Sequence, residues 1–84
     1  MAIRLQDWLR EATLALAPVA EQPRSEARRL VEAALNWPIA SQLADPDQTI
    51  DAASLEALEA LLHRRAERHE PLSRILGRRE FWGL

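Results

Sequence analysis

Apolar residues recur along this chain at the three- and four-residue spacing of a helix, and five prolines interrupt the pattern. Leu5, Trp8, Leu9, Ala12 and Leu16 share one stripe, which predicts a first helix ending near Ala17, just before Pro18. Pro23 is well placed as the first residue of a second helix, whose apolar face carries Ala27, Leu30, Val31, Ala34 and Leu35. PIASQLA predicts a short third helix of about two turns. The Asp- and Pro-rich ADPDQTID that follows reads as a loop. Asp51 stands where an N-cap belongs and opens the longest helix, from Ala52 to about His69, with Leu55, Leu58, Leu62 and Ala66 facing inward and Leu61 beside them. Pro71 to Leu76 form a last short helix, and Gly77 supplies the left-handed residue that commonly ends one.

The predicted fold is therefore all-α, a small bundle of about five helices over residues 1–77. The final stretch, RREFWGL, has the character of a strand and begins a different element. A lone strand carrying Phe81 and Trp82 lacks the partner that would stabilise it, since even a complete two-stranded hairpin is marginal in water. Two readings stand: an aromatic tail folded back over its own bundle, or the first strand of a hairpin completed by sequence beyond Leu84.

Composition supports the helical assignment. The chain has 84 residues, enough for one core. Its apolar set is mostly Leu and Ala rather than Val, Ile and aromatics. It contains no cysteine, which excludes disulfides and thiolate metal sites and fits a reducing compartment. No apolar run approaches the ~20 residues that span a bilayer. The N-terminus lacks the basic segment and apolar block of a signal peptide. A cytoplasmic location with no membrane partner is the expectation.

Charge changes the picture more. Residues 1–62 carry five Arg against ten Asp and Glu, whereas residues 63–84 carry six Arg against three Glu. The C-terminal quarter is thus a basic patch on an otherwise acidic chain. Arg64, Arg65, Arg68, Arg74, Arg78 and Arg79 could contact an acidic protein face. Equally, they could form a solvated helix end that complements the helix dipole, with Glu67 and Glu70 interleaved. Nucleic acid is the weaker partner, because the sequence pI is about 5.6 and no base-stacking aromatics lie among the arginines.

Catalytic chemistry has little to build on. With only Gly77 and Gly83, there is no glycine-rich turn to cradle a phosphate or dinucleotide. No serine or threonine lies in a strained elbow with an evident histidine partner. His63 and Glu67 are one turn apart, but His69 is about 600° around the helix from His63, so the set reads as surface histidines near a helix C-terminus. Trp8 reads as core, and Trp37, next to Pro38, as packing at a helix junction. We expect no catalytic, cofactor-binding or metal-binding residue in this chain.

The last fifteen residues, EPLSRILGRREFWGL, carry a resemblance that accounts for the odd ending. Glu70, Pro71, Ile75, Gly77, Glu80, Phe81, Trp82, Gly83 and Leu84 resemble the interdomain segment of the HemK/PrmC family of peptide chain release factor glutamine methyltransferases. The first helix with its WLREA, the EARRLVEAAL helix and the long helix running into RRAERHEPL are similar to that family's N-terminal domain. Arg74 departs from the pattern of many relatives.

The resemblance implies a two-domain parent enzyme. Residues 1–77 would be its release-factor-docking bundle, and residues 78–84, with Glu80, Phe81, Trp82 and Leu84, the start of the interdomain hairpin. A Rossmann-like domain, absent here, would bind S-adenosylmethionine and hold the Gly-Gly-Gln glutamine of the release factor in an Asn-Pro-Pro-Tyr motif. This chain alone is then inactive, and its partners are the release factor and its own catalytic domain. Arg64, Arg65, Arg68, Arg78 and Arg79 are the candidate contacts, suggested by the charge asymmetry. The alternatives are an autonomous helical adaptor whose tail adds to a partner's sheet, and the sister enzyme that modifies a ribosomal-protein glutamine.

Overall fold

The first helical stripe needs a partner to bury it, and the second supplies one. In the computed structural model, which describes residues 2–76, α1 (Leu5–Leu16) and α2 (Pro23–Leu35) pack against each other, and α4 (Ala52–Ala66) closes over both. Between them α3 (Ile39–Ala44) packs on α2, and α5 (residues 72–76) follows α4. Leu5, Trp8, Leu9, Ala12 and Leu16 meet Ala27, Leu30, Val31, Ile50 and Leu58 in one buried cluster. Trp37, Leu55, Leu61, Leu62, Ala66, Leu72 and Ile75 pack around it, partly buried. All five predicted helices are present, and each expected stripe faces inward.

The segment read as a loop does more than connect. β1 (Ile3–Arg4) pairs antiparallel with β2 (Thr49–Ile50), Ile3 opposite Ile50. Beyond this pair the Leu5 and Gln6 N–H groups donate to the Gln48 and Pro46 carbonyls at 2.9 and 3.0 Å. The first N–H groups of a helix have no partner within it, and Arg4 provides no side-chain cap, so the 46–48 backbone takes that role. The Gln6 amide also bonds the Asp47 carboxylate. Ile50 becomes fully buried as a result.

Local signals set the other boundaries. Pro23 opens α2, and Asn36 ends it in the left-handed region at φ 57°. Asp51 caps α4 by accepting from the Ser54 N–H at 2.8 Å, which holds its carboxyl below the usual carboxylate range. The long helix stops at Ala66, three residues before the expected His69. Pro71 disfavours helical geometry at Glu70, and His69 turns left-handed at φ 56°. The Glu67 and Arg68 N–H groups both reach the His63 carbonyl, and Glu70 N–H reaches that of Arg64 at 3.0 Å. α5 then starts from Pro71, whose carbonyl accepts from Arg74 and Ile75. Gly77 and the expected hairpin strand with Phe81 and Trp82 lie outside the described residues.

Candidate functional site

The candidate arginines follow from how α4 ends. Helical spacing fans Arg64, Arg65 and Arg68 around its last turn and the turn after it, so adjacent arginines point to different surroundings. Arg65 points inward. Its Nε donates to Glu26 Oε1 at 2.7 Å, and its Nη2 to Glu26 Oε2 at 3.4 Å and the Val19 carbonyl at 3.0 Å. The two side chains are only 14% and 17% exposed. This clamp ties α4 to α2 and to the turn after α1.

Arg64 lies on another flank and meets Glu70 in a two-point contact, Nε to Oε2 at 3.1 Å and Nη2 to Oε1 at 2.9 Å. The hydrogen bonds lower the Glu70 pKa and raise that of Arg64, because each stabilises the partner's charged form. Arg68 is 67% exposed, and its Nε stands 4.0 Å from Glu70 Oε2. Arg74, on α5, is exposed and adds to the positive field at Glu70. The structure thus brings Arg64 and Arg68 to one carboxylate, within the positive field of Arg74, and separates Arg65 from them. Arg78, Arg79, Glu80, Phe81, Trp82 and Leu84 lie outside the described residues.

The opposite flank of α4 has the other sign. A shallow groove against α1 is lined by Ala15, Glu59, Leu62, His63, Ala66 and Glu67. His63 and His69 are exposed, and among the described residues no group of three His, Cys, Asp or Glu is placed to hold a metal ion. No helix of the described residues is long and apolar enough to cross a membrane.

Sequence reasoning missed two polar residues. Gln42 is completely buried, and its Nε2 donates to the Arg28 and Trp37 carbonyls, both at 3.0 Å, joining α3 to the middle of α2 and to the segment after it. Arg28 has its pKa lowered, first by burial and then by Arg24. A lone glutamine on a six-residue helix gives no periodic signal. Arg65, in contrast, could have been found: it falls four residues after Leu61 and seven after Leu58, on the apolar stripe.

A core of Leu, Ala, Ile, Val and Trp8 inside packed helices defines a class of protein: a small, mostly helical domain. The chain belongs to the family described as the PrmC N-terminal domain, which matches residues 7–77. It is 36% identical over 83 residues to the bifunctional methyltransferase of Rickettsia bellii, covering 98% of this chain and 15% of that protein. It is 42% identical over 62 residues to the release factor glutamine methyltransferase of Rhodospirillum rubrum, covering 74% and 19%. To the enzyme of that name from Vibrio cholerae it is 35% identical over 85 residues, covering all of this chain and 29% of the relative. The chain therefore spans less than a third of the length of each. No solved structure gives a significant match.

Proposed function

We propose that this domain docks the protein substrate of an S-adenosylmethionine-dependent methyltransferase, and that the parent enzyme methylates the Gly-Gly-Gln glutamine of a peptide chain release factor. The name shared by the Rhodospirillum and Vibrio relatives supports the substrate. The observation that carries the docking role is the unevenly neutralised arginine cluster. Glu70 engages Arg64 closely, while Arg68 and Arg74 stay open to solvent. Arg78 and Arg79 extend the face in sequence, and Arg65 supports it from beneath through Glu26. Glu80, Phe81, Trp82 and Leu84 lead toward the catalytic domain, an assignment that rests on the family resemblance.

In this reading S-adenosylmethionine binds the rest of the parent protein rather than the described residues. The described core is filled with packed apolar side chains plus Gln42, and the only glycines are Gly77 and Gly83, near the C-terminus. Methyl transfer belongs to the rest of the parent protein, and this domain contributes by holding the substrate where the reacting amide can be aligned.

The test uses the intact enzyme carrying this domain. Reversing Arg64 and Arg68 to Glu is expected to raise KM for the release factor about tenfold at low salt and to leave kcat nearly unchanged, because the lost contacts act on binding. An unchanged kcat/KM would remove the electrostatic docking reading.

A further inference from the structure

Arginines from three consecutive segments act on one carboxylate: Arg64 and Arg68 lie within 4.0 Å of it, and Arg74 adds to the positive field there. Arg64 comes from α4, Arg68 from the turn after it and Arg74 from α5, and Glu70 lies among them with its side chain only 17% exposed. Three guanidinium groups so placed repel one another. Glu70 offsets that repulsion and also fixes geometry: both carboxylate oxygens grip Arg64, and its backbone N–H bonds the Arg64 carbonyl, closing the turn between α4 and α5.

We propose that Glu70 is the positioning residue of the docking face: it locks Arg64 and holds Arg68 at the edge of its carboxylate, so that Arg68, with Arg74 nearby in the chain, receives an acidic segment of the protein substrate. This deepens the function proposed above and rests on it. Arg64 is held at two points by Glu70, whereas Arg68 has only the edge of the carboxylate at 4.0 Å. The face that remains carries two open positive charges, and it complements two neighbouring carboxylates better than an extended polyanion. Glu70 does not touch the substrate; it acts through the arginines.

The two roles a carboxylate could have here predict effects of opposite sign. If Glu70 only dilutes the positive field, Glu70→Gln adds one net positive charge and tightens binding of an acidic partner. If Glu70 positions the arginines, the same substitution disorders them and weakens binding. In the intact enzyme we expect Glu70→Gln to raise KM for the release factor about fivefold with kcat unchanged, from two exposed contacts each losing a few-fold. A KM equal to or below that of the unaltered enzyme overturns the inference. Should thermal melting show that Glu70→Gln is unfolded, Glu70→Asp decides: it keeps the charge but shortens the reach, so a field-only role leaves KM unchanged and positioning raises it. Arg68→Glu/Arg74→Glu separates the two layers. A raised KM there with an unraised KM in Glu70→Gln overturns the positioning role alone, and no change in the reversal variant overturns the docking reading with it.

Discussion

The Arg65 clamp gives a prediction that separates support from contact. Arg65→Ala removes both hydrogen bonds to Glu26 and the one to the Val19 carbonyl. Exposed ion pairs contribute about 0 to 1 kcal/mol, whereas removing one partner of a buried pair costs about 3 to 5 kcal/mol. Side-chain exposures of 14% and 17% place this pair near the buried limit, and the Val19 carbonyl loses a charged donor as well. The expected loss is about 3 kcal/mol, against a total stability on the order of 4 to 13 kcal/mol for a chain of this length. At roughly 4 to 8 °C per kcal/mol, the melting temperature should fall by about 12 to 24 °C. Urea and thermal unfolding followed by far-ultraviolet circular dichroism measure it. Arg65→Met, which keeps the aliphatic stem, isolates the polar part, and a cycle with Glu26→Gln isolates the coupling. A loss below about 1 kcal/mol, the exposed-pair limit, together with no coupling to Glu26, would refute the clamp and return Arg65 to the surface set.

Two further outcomes follow from the turn after α4 and from the carboxylates. His69 holds a left-handed conformation that costs a non-glycine residue about 1 to 2 kcal/mol, so His69→Gly should raise stability by up to about 1 kcal/mol after the added flexibility of the unfolded chain is subtracted; a lower urea midpoint would contradict this. Asp51 and Glu70 both have depressed pKa values, by the Ser54 cap and the Arg64 pair respectively, so the native state binds fewer protons than the unfolded chain. Their stabilisation is therefore complete above the unfolded carboxylate range of about 3.9 to 4.3 and declines as the pH falls below it. Asp51→Asn/Glu70→Gln should show a shallower acid loss in urea midpoints taken from pH 6 down to pH 3, and an unaltered slope would argue against both contacts.

Which features could be read from the chain depends on the range of the interactions behind them. The stripes of α1, α2 and α4, the Asp51 cap, Pro23 at the start of α2 and the burial of Trp8 rest on neighbours within a few turns, and periodicity reports them directly. The β1–β2 pair joins residues more than forty positions apart in two-residue strands, too short to show alternation, so Ile50 looked like part of a loop. The early end of α4 was partly visible in Pro71, but the left-handed turn at His69 has no glycine to announce it. In the candidate site, the charge asymmetry was legible, while the partners were not: pairing Arg65 with Glu26 requires α2 and α4 to be adjacent, a tertiary fact.

That tertiary fact changes what the basic patch means. Counted along the chain, residues 63–84 form a strongly cationic segment. In three dimensions two of its four described arginines are engaged at close range, Arg65 by Glu26 and Arg64 by Glu70, and the charge left open is concentrated at Arg68 and Arg74. A surface with two open cations suits local recognition of a few acidic groups rather than long-range capture of a polyanion. The acidic groove on the α1 flank of α4 reinforces the point, because Glu59 and Glu67 repel any extended anion that overlaps both sides of the helix. Charge on this domain therefore favours orientation over raw attraction, which is what the proposed docking of a protein substrate requires.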